Sequence, residues 1–196
     1  MFSLNVPNVL TLLRIMLVPV LVVALLDKTP DGDALAAGVF AVASLTDFID
    51  GYLARARDSI TTFGKLMDPI ADKLLVIGAV ITLVSLHRVA AWVAMVIIAR
   101  EFAVTATRMA ATQAGVIIAA NRWGKAKTAV QVLTILVLIS VDGRPLWLTL
   151  LVDGMVAVTL LSGVDYFFGL RRQLSLAQAR RSESTQRASG TGESLI

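Results

Sequence analysis

Residues 47–72 read DFIDGYLARARDSITTFGKLMDPIAD. Four carboxylates, Asp47, Asp50, Asp68 and Asp72, stand there with Gly51, Gly64 and Arg55, inside a chain that is otherwise strongly apolar. A charge at membrane depth costs about 2.5–3.5 kcal/mol on insertion scales, so four carboxylates in such a chain need compensating cations. Divalent metal is the compensation that four clustered carboxylates suggest.

The apolar setting is explicit in the composition. The 196 residues are 57% hydrophobic, with a mean hydropathy of +0.78. That is more apolar surface than one small soluble core can bury, and it falls in long blocks. Six spans follow, at about 8–26, 34–54, 66–86, 90–111, 126–141 and 145–169, each near the length a helix needs to cross a bilayer. Turn and charge signals separate them: 27–33 with Pro30 and Gly32, 55–65, His87-Arg88, 113–125, and Asp142-Gly143-Arg144. Short links favour antiparallel neighbours, so the expected fold is an all-α integral membrane protein, a six-transmembrane-helix bundle over residues 1–170.

The chain has no cysteine and one histidine, His87, which excludes thiolate chemistry, disulfides and a Cys/His zinc site. A metal must therefore be held by oxygen, which suits Mg2+ or Mn2+ and, less specifically, Ca2+. Lys and Arg are unevenly spread. Arg55, Arg57 and Lys65 share one loop, Arg108, Arg122, Lys125 and Lys127 surround another, and Arg171, Arg172, Arg180, Arg181 and Arg187 lie in the tail; the opposite side has Lys28, Arg88 and Arg144. By the positive-inside rule, both termini and the acidic stretch face the cytoplasm, in a multi-pass protein of the cytoplasmic (inner) membrane. No nucleic-acid partner is expected; the partners are lipids.

The first span lacks Lys or Arg at its start, is interrupted by Arg14 and precedes no A-x-A pattern, so it reads as a retained helix with Pro7 near its first turn rather than a signal peptide. Residues 171–196, rich in Arg, Ser, Gln and Gly, read as a basic cytoplasmic tail that is disordered or lies at the lipid surface.

On a helix, Asp47, Asp50, Gly51, Ala54 and Arg55 share one face, and Gly64, Asp68 and Asp72 share another. Pro69 fits if the third helix begins near Asp68 and kinks it otherwise. A loop of about ten residues would bring the two faces together. Four carboxylates can share two divalent ions about 3.5–4 Å apart, a geometry suited to phosphoryl displacement.

The pattern D-x2-D-G-x2-A-R-x8-G-x3-D-x3-D resembles the signature of the CDP-alcohol phosphotransferase family, and every fixed position is filled, by Asp47, Asp50, Gly51, Ala54, Arg55, Gly64, Asp68 and Asp72. The family is a membrane group of about six helices in which homodimers are common, so a homodimer is allowed here. The resemblance implies two divalent ions on Asp47, Asp50, Asp68 and Asp72. It further implies a CDP-diacylglycerol donor contacted by Gly51, Arg55, Thr61 and Gly64, with Asp72 also the general base. Asn8, Thr11 and Arg14, at helical spacing in the first span, can reach the nucleotide or the acceptor; Arg14 can instead snorkel to the headgroups.

Three further stretches, NVPNVLTLLR at 5–14, IIAREFAVTATR at 97–108 and NRWGKAKT at 121–128, resemble the phosphatidylglycerophosphate synthase branch. That branch implies sn-glycerol 3-phosphate as acceptor, with phosphatidylglycerophosphate and CMP as products. A dianionic acceptor needs fixed cations. Arg100, inside the fourth span, and Arg108, Arg122, Lys125 and Lys127 are the candidates, with positive-inside topology the simpler account of the last four. Glu101 is a poor partner for Arg100, because adjacent helical positions point about 100° apart. Asp153 and Asp165 are expected to pair with buried cations. Phosphatidylinositol phosphate synthases or cardiolipin synthases of the same superfamily are the enzymatic alternatives, and a divalent-cation transporter is the alternative of another class. Transport does not predict glycines at those gaps.

Overall fold

The computed structural model describes residues 6–27, 29, 31–57, 62–113 and 122–192, with side chains described except at 6–8, 47–69, 72, 113, 122–123, 125, 170 and 172–192. Six helices and no strand occupy the described residues: α1 (Val6–Leu26), α2 (Gly32–Arg57), α3 (Thr62–Ser85), α4 (Ala91–Gln113), α5 (Arg122–Ser140) and α6 (Leu146–Gly192). Pro7 sits in the first turn of α1, where its missing N–H costs nothing.

The ends of the helices explain how the chain reverses. After α3, the Arg88 N–H bonds the Leu83 carbonyl at 2.9 Å and the His87 N–H bonds the Val84 carbonyl at 2.9 Å. This is a Schellman closure, and its left-handed position is filled by His87 at φ 58 in place of the usual glycine. Between α1 and α2 the backbones come so close that a side chain at Gly32 would meet the Asp27 carbonyl oxygen at 2.5 Å. Only glycine fits there.

Arg88 then locks one end of the bundle. Its Nη1 donates to the Ile139 carbonyl at 2.9 Å, and its Nη2 reaches Asp33 at 2.6 Å and Asp142 at 2.8 Å. The start of α2, the end of α3 and the end of α5 are thereby held together, as an up-and-down arrangement requires. Arg144 donates to the His87 carbonyl at the same end.

The interior is apolar, built around Leu21, Phe40, Leu83, Ile97, Ile135, Ile139 and Met155. Small residues let α1 approach α2 and α3 closely. Ala24, Ala36, Ala43 and Ala79 are buried, and a side chain at Gly78 would come within 3.1 Å of Val18. The outside is apolar too: Leu12, Met16, Val23, Val42, Met95, Phe102, Leu133, Leu161 and Phe168 are all exposed. In water this would be an aggregation hazard, whereas in lipid it is ordinary contact surface.

Two stretches are long and apolar enough to cross a bilayer, Val9–Leu26 and Leu146–Gly169, while Gly32–Thr46, Lys73–Ser85 and Ala126–Ser140 are shorter apolar runs. The number of helices agrees with the expected six spans, but full apolar length is found in only two among the described residues. Arg100, Glu101 and Arg108 interrupt the apolar run of α4.

Two local expectations are corrected. The third helix begins at Thr62, so Pro69 falls inside it, and α2 runs on to Arg57, so most of the expected ten-residue loop is helical; residues 58–61 lie outside the described residues. α6 runs without a break past 170 to Gly192, so residues 171–192 are helical rather than disordered. Gln, Arg and Ala between 173 and 188 are good helix formers, and a helix already nucleated in the apolar stretch extends through them.

Removing the Arg88 lock leaves a backbone carbonyl and a half-buried carboxylate without their donor. Arg88→Ala is expected to lower unfolding stability in detergent by about 1–3 kcal/mol. Asp142, 86% exposed at its side chain, contributes about 1 kcal/mol or less. Thermal melts of the two variants check this contrast.

Candidate active site

The backbone puts Asp47, Asp50, Gly51 and Arg55 on the last turns of α2, and Gly64, Asp68 and Asp72 on the opening turns of α3. These are neighbouring ends of consecutive helices, as the spacing requires. The side chains of this set, of Asn8, and of Arg122 and Lys125 in the first turn of α5 lie outside the described residues, as does Thr61 altogether.

Lys73, the residue after Asp72 on α3, belongs to a charge cluster. The Lys73 Nζ lies 2.8 Å from Oε2 of Glu101. Oε1 of Glu101 takes the Arg100 Nη1 at 3.1 Å and also the Lys127 Nζ. The Arg100 Nη2 donates to the Ser162 hydroxyl at 2.7 Å. One carboxylate thus gathers cations from α3, α4 and α5, and α6 supplies a hydroxyl. Glu101 is 5% and Lys127 3% exposed, so these are interior contacts, beyond the screening of bulk water.

The expectation that Glu101 would not partner Arg100 is therefore wrong. The 100° offset describes where the two side chains leave the helix, and the long arginine stem bends Nη1 back to the carboxylate.

The other acceptor candidates separate. Arg14 is 2% exposed on α1 and Thr11, one turn earlier, 3%; both interact within the protein. Burial rules out the snorkelling alternative for Arg14. Arg108 is exposed, with its guanidinium 5.8 Å from the centre of the Tyr166 ring, a contact that ties α4 to α6. Of the six basic candidates, the structure brings Arg100 and Lys127 together. Asp153 and Asp165 are exposed on α6, and Asp165 interacts within the protein.

Sequence reasoning missed Glu101, Lys73 and Ser162 as members of this cluster. The first carried a signal: an acidic residue in the middle of an apolar helix needs a partner. It also missed Gln131, one turn beyond Lys127 on α5. Gln131 is 2% exposed, and among the described residues its carboxamide finds no hydrogen-bond partner.

These features define a class first: a helical membrane protein with an acidic motif at the ends of two helices and a buried cation cluster next to it. The family model for CDP-alcohol phosphatidyltransferase matches residues 4–161, and the chain belongs to that family. Relatives named CDP-diacylglycerol–glycerol-3-phosphate 3-phosphatidyltransferase are 41% identical in Bacillus subtilis, over 67% of this chain and 74% of that protein. A Rickettsia felis relative of the same name is 37% identical over 83% of this chain and 93% of its own length. One from Pseudomonas fluorescens is 38% identical over 69% and 72%.

The burial difference makes a prediction. Lys127→Met removes one buried charge-assisted bond while Lys73 and Arg100 still hold Glu101, and is expected to cost about 1.5–3 kcal/mol of stability. Arg108→Ala, at an exposed cation–π contact, is expected to cost about 1 kcal/mol or less. Thermal unfolding in detergent with both variants reads the difference.

Proposed function

We propose that this protein transfers the phosphatidyl group of CDP-diacylglycerol to sn-glycerol 3-phosphate, releasing CMP and phosphatidylglycerophosphate in phospholipid biosynthesis. The observation that carries the acceptor is the Arg100–Lys127 pair on Glu101, which also holds Lys73, the residue after Asp72, inside a chain whose named relatives are glycerol-3-phosphate phosphatidyltransferases. A phosphate dianion entering an apolar bundle needs fixed cations, and an uncharged alcohol does not.

Six helices crossing the cytoplasmic membrane, with the motif ends of α2 and α3 at the cytoplasmic face, put the site where CDP-activated lipid and a soluble acceptor can meet. The distribution of Lys and Arg supports that orientation. The basic tail after 170 then lies on the cytoplasmic side.

The donor set is all oxygen. It consists of four carboxylates in the motif, with the only histidine in the α3–α4 turn at the Arg88 end. That chemistry fits Mg2+ or Mn2+, which Asp47, Asp50, Asp68 and Asp72 would hold. Two bound ions would offset the negative charge of the diphosphate.

The protein's own groups do the rest. Asp72 accepts the proton as the glycerol 3-phosphate hydroxyl attacks the phosphorus bearing diacylglycerol. A new oxygen–phosphorus bond forms, the bond from that phosphorus to the bridging oxygen breaks, and CMP leaves with that oxygen. Gly51, Arg55, Thr61 and Gly64 line the nucleotide side, and Asn8 and Thr11 on α1 complete it. Arg100 and Lys127 orient the acceptor phosphate so that its hydroxyl meets the phosphorus; Arg14, Arg108, Arg122 and Lys125 supply surrounding positive potential.

CMP release by purified protein is expected to require both a divalent ion and glycerol 3-phosphate. Chelation should abolish it and added Mg2+ or Mn2+ restore it, while glycerol, a phosphorylated inositol or phosphatidylglycerol should not substitute. Release with any of these in place of glycerol 3-phosphate would refute the acceptor. Asp72→Asn should lose turnover by about 100-fold or more yet keep some metal binding, whereas Asp47→Asn should weaken metal binding itself. Titration calorimetry with Mn2+ separates the two.

Arg100→Ala should raise the KM for glycerol 3-phosphate by about tenfold or more, in line with a lost charge-assisted contact, and leave the KM for CDP-diacylglycerol nearly unchanged.

A further inference from the structure

Arg100 and Lys127 are the proposed acceptor ligands; Glu101 has no part in that role, though three cations engage it. Both its oxygens are occupied, Oε2 by Lys73 and Oε1 by Lys127 and Arg100. Its side chain is 6% exposed, and the side chains of Lys127 and Arg100 are 4% and 13% exposed.

A lysine is a compact charge on a flexible four-carbon stem, and in an apolar interior it turns toward water unless something holds it. Nothing in the local helix geometry fixes the Nζ of Lys127 beside Arg100, because two cations at that range repel. The carboxylate between them reverses that. We infer that Glu101 is a positioning residue: by drawing Lys73, Arg100 and Lys127 from three helices onto one carboxylate, it sets the cations of the acceptor-phosphate subsite in place.

Arg100 and Lys127 by themselves outweigh the single charge of Glu101, so the group retains attraction for a phosphate dianion. Lys73 follows Asp72 on α3, so the same helix carries the proposed base and one arm of the cluster. The distance between base and phosphate subsite is then set by the backbone of α3 and by Glu101, with no loop intervening. This inference rests on the acceptor reading and adds to it a residue that touches no substrate.

The test uses full-length protein in detergent micelles with CDP-diacylglycerol and Mg2+. Glu101→Gln keeps the shape but cannot hold three cations, because its amide donates where the carboxylate accepted. The expected result is a rise of about tenfold or more in the KM for glycerol 3-phosphate, with the KM for CDP-diacylglycerol and kcat within about twofold. Glu101→Asp keeps the charge with a shorter reach and should fall between, at about threefold. Without donor, glycerol 3-phosphate should raise the melting temperature of wild type and fail to raise that of Glu101→Gln.

An unchanged or lowered acceptor KM in Glu101→Gln would overturn the inference; a lowered one would make Glu101 only a competing anion. An equal rise in donor and acceptor KM would also overturn it, as the mark of general disorder. If Glu101→Gln does not fold, Glu101→Asp carries the test, and a wild-type acceptor KM there is the overturning result. Wild type indifferent to glycerol 3-phosphate would instead defeat the acceptor reading, and the two failures are thereby distinguished.

Discussion

A buried carboxylate holding three cations is the constraint around which this bundle is arranged. Glu101 sits at 5% exposure, and its partners come from α3, α4 and α5, with Ser162 of α6 bonded to the far side of Arg100. In an apolar interior such a group is strongly destabilising if its carboxylate is lost, because the cations are then stranded, and its net worth when intact is small. Its value is specificity. Helices that can slide freely against one another through Leu and Val contacts are given one register, at the level of the acidic motif. The proposed chemistry needs that register, because attack depends on placing two substrates to within a fraction of an ångström.

One end of the bundle is fixed by different means. There Arg88 joins Asp33, Asp142 and the Ile139 carbonyl, and a Schellman turn through His87 delivers Arg88 to that point. The two polar clusters, one at that end and one midway along α3 and α4, bracket an apolar layer that includes Phe40, Leu83, Ile97, Ile135 and Ile139. Close packing of α1 against α3 at Gly78 and Val18 adds steric definition. Charge sets the limits of this layer, and shape sets the layer itself.

Much of this was legible in the sequence because it rests on periodicity. The six helices, the position of the acidic motif on the end of α2 and the start of α3, and the inward location of Arg100 all follow from hydropathy and 3.6-residue spacing. What was not legible depends on side-chain reach and helix propagation. Cβ directions disfavour an Arg100–Glu101 pair, yet the arginine stem is long enough to make one. Pro69 suggested a helix start, but α3 begins earlier, at Thr62. Composition suggested that α6 would end near 170, and it continues to Gly192 because nothing there stops it. Lys127 looked like part of a solvated basic loop under the positive-inside rule, and only the partner on α4 reveals it as interior.

The central claim is that the acceptor's phosphate is received by the cations that Glu101 gathers. An experimental structure of the protein with glycerol 3-phosphate bound tests it most directly. The account predicts the phosphate within hydrogen-bonding distance of the Arg100 guanidinium and the Lys127 ammonium, with Glu101 still bonded to at least one of them. A phosphate seated elsewhere, against Arg108 or Arg14 with the Glu101 cluster undisturbed and empty of ligand, would contradict it.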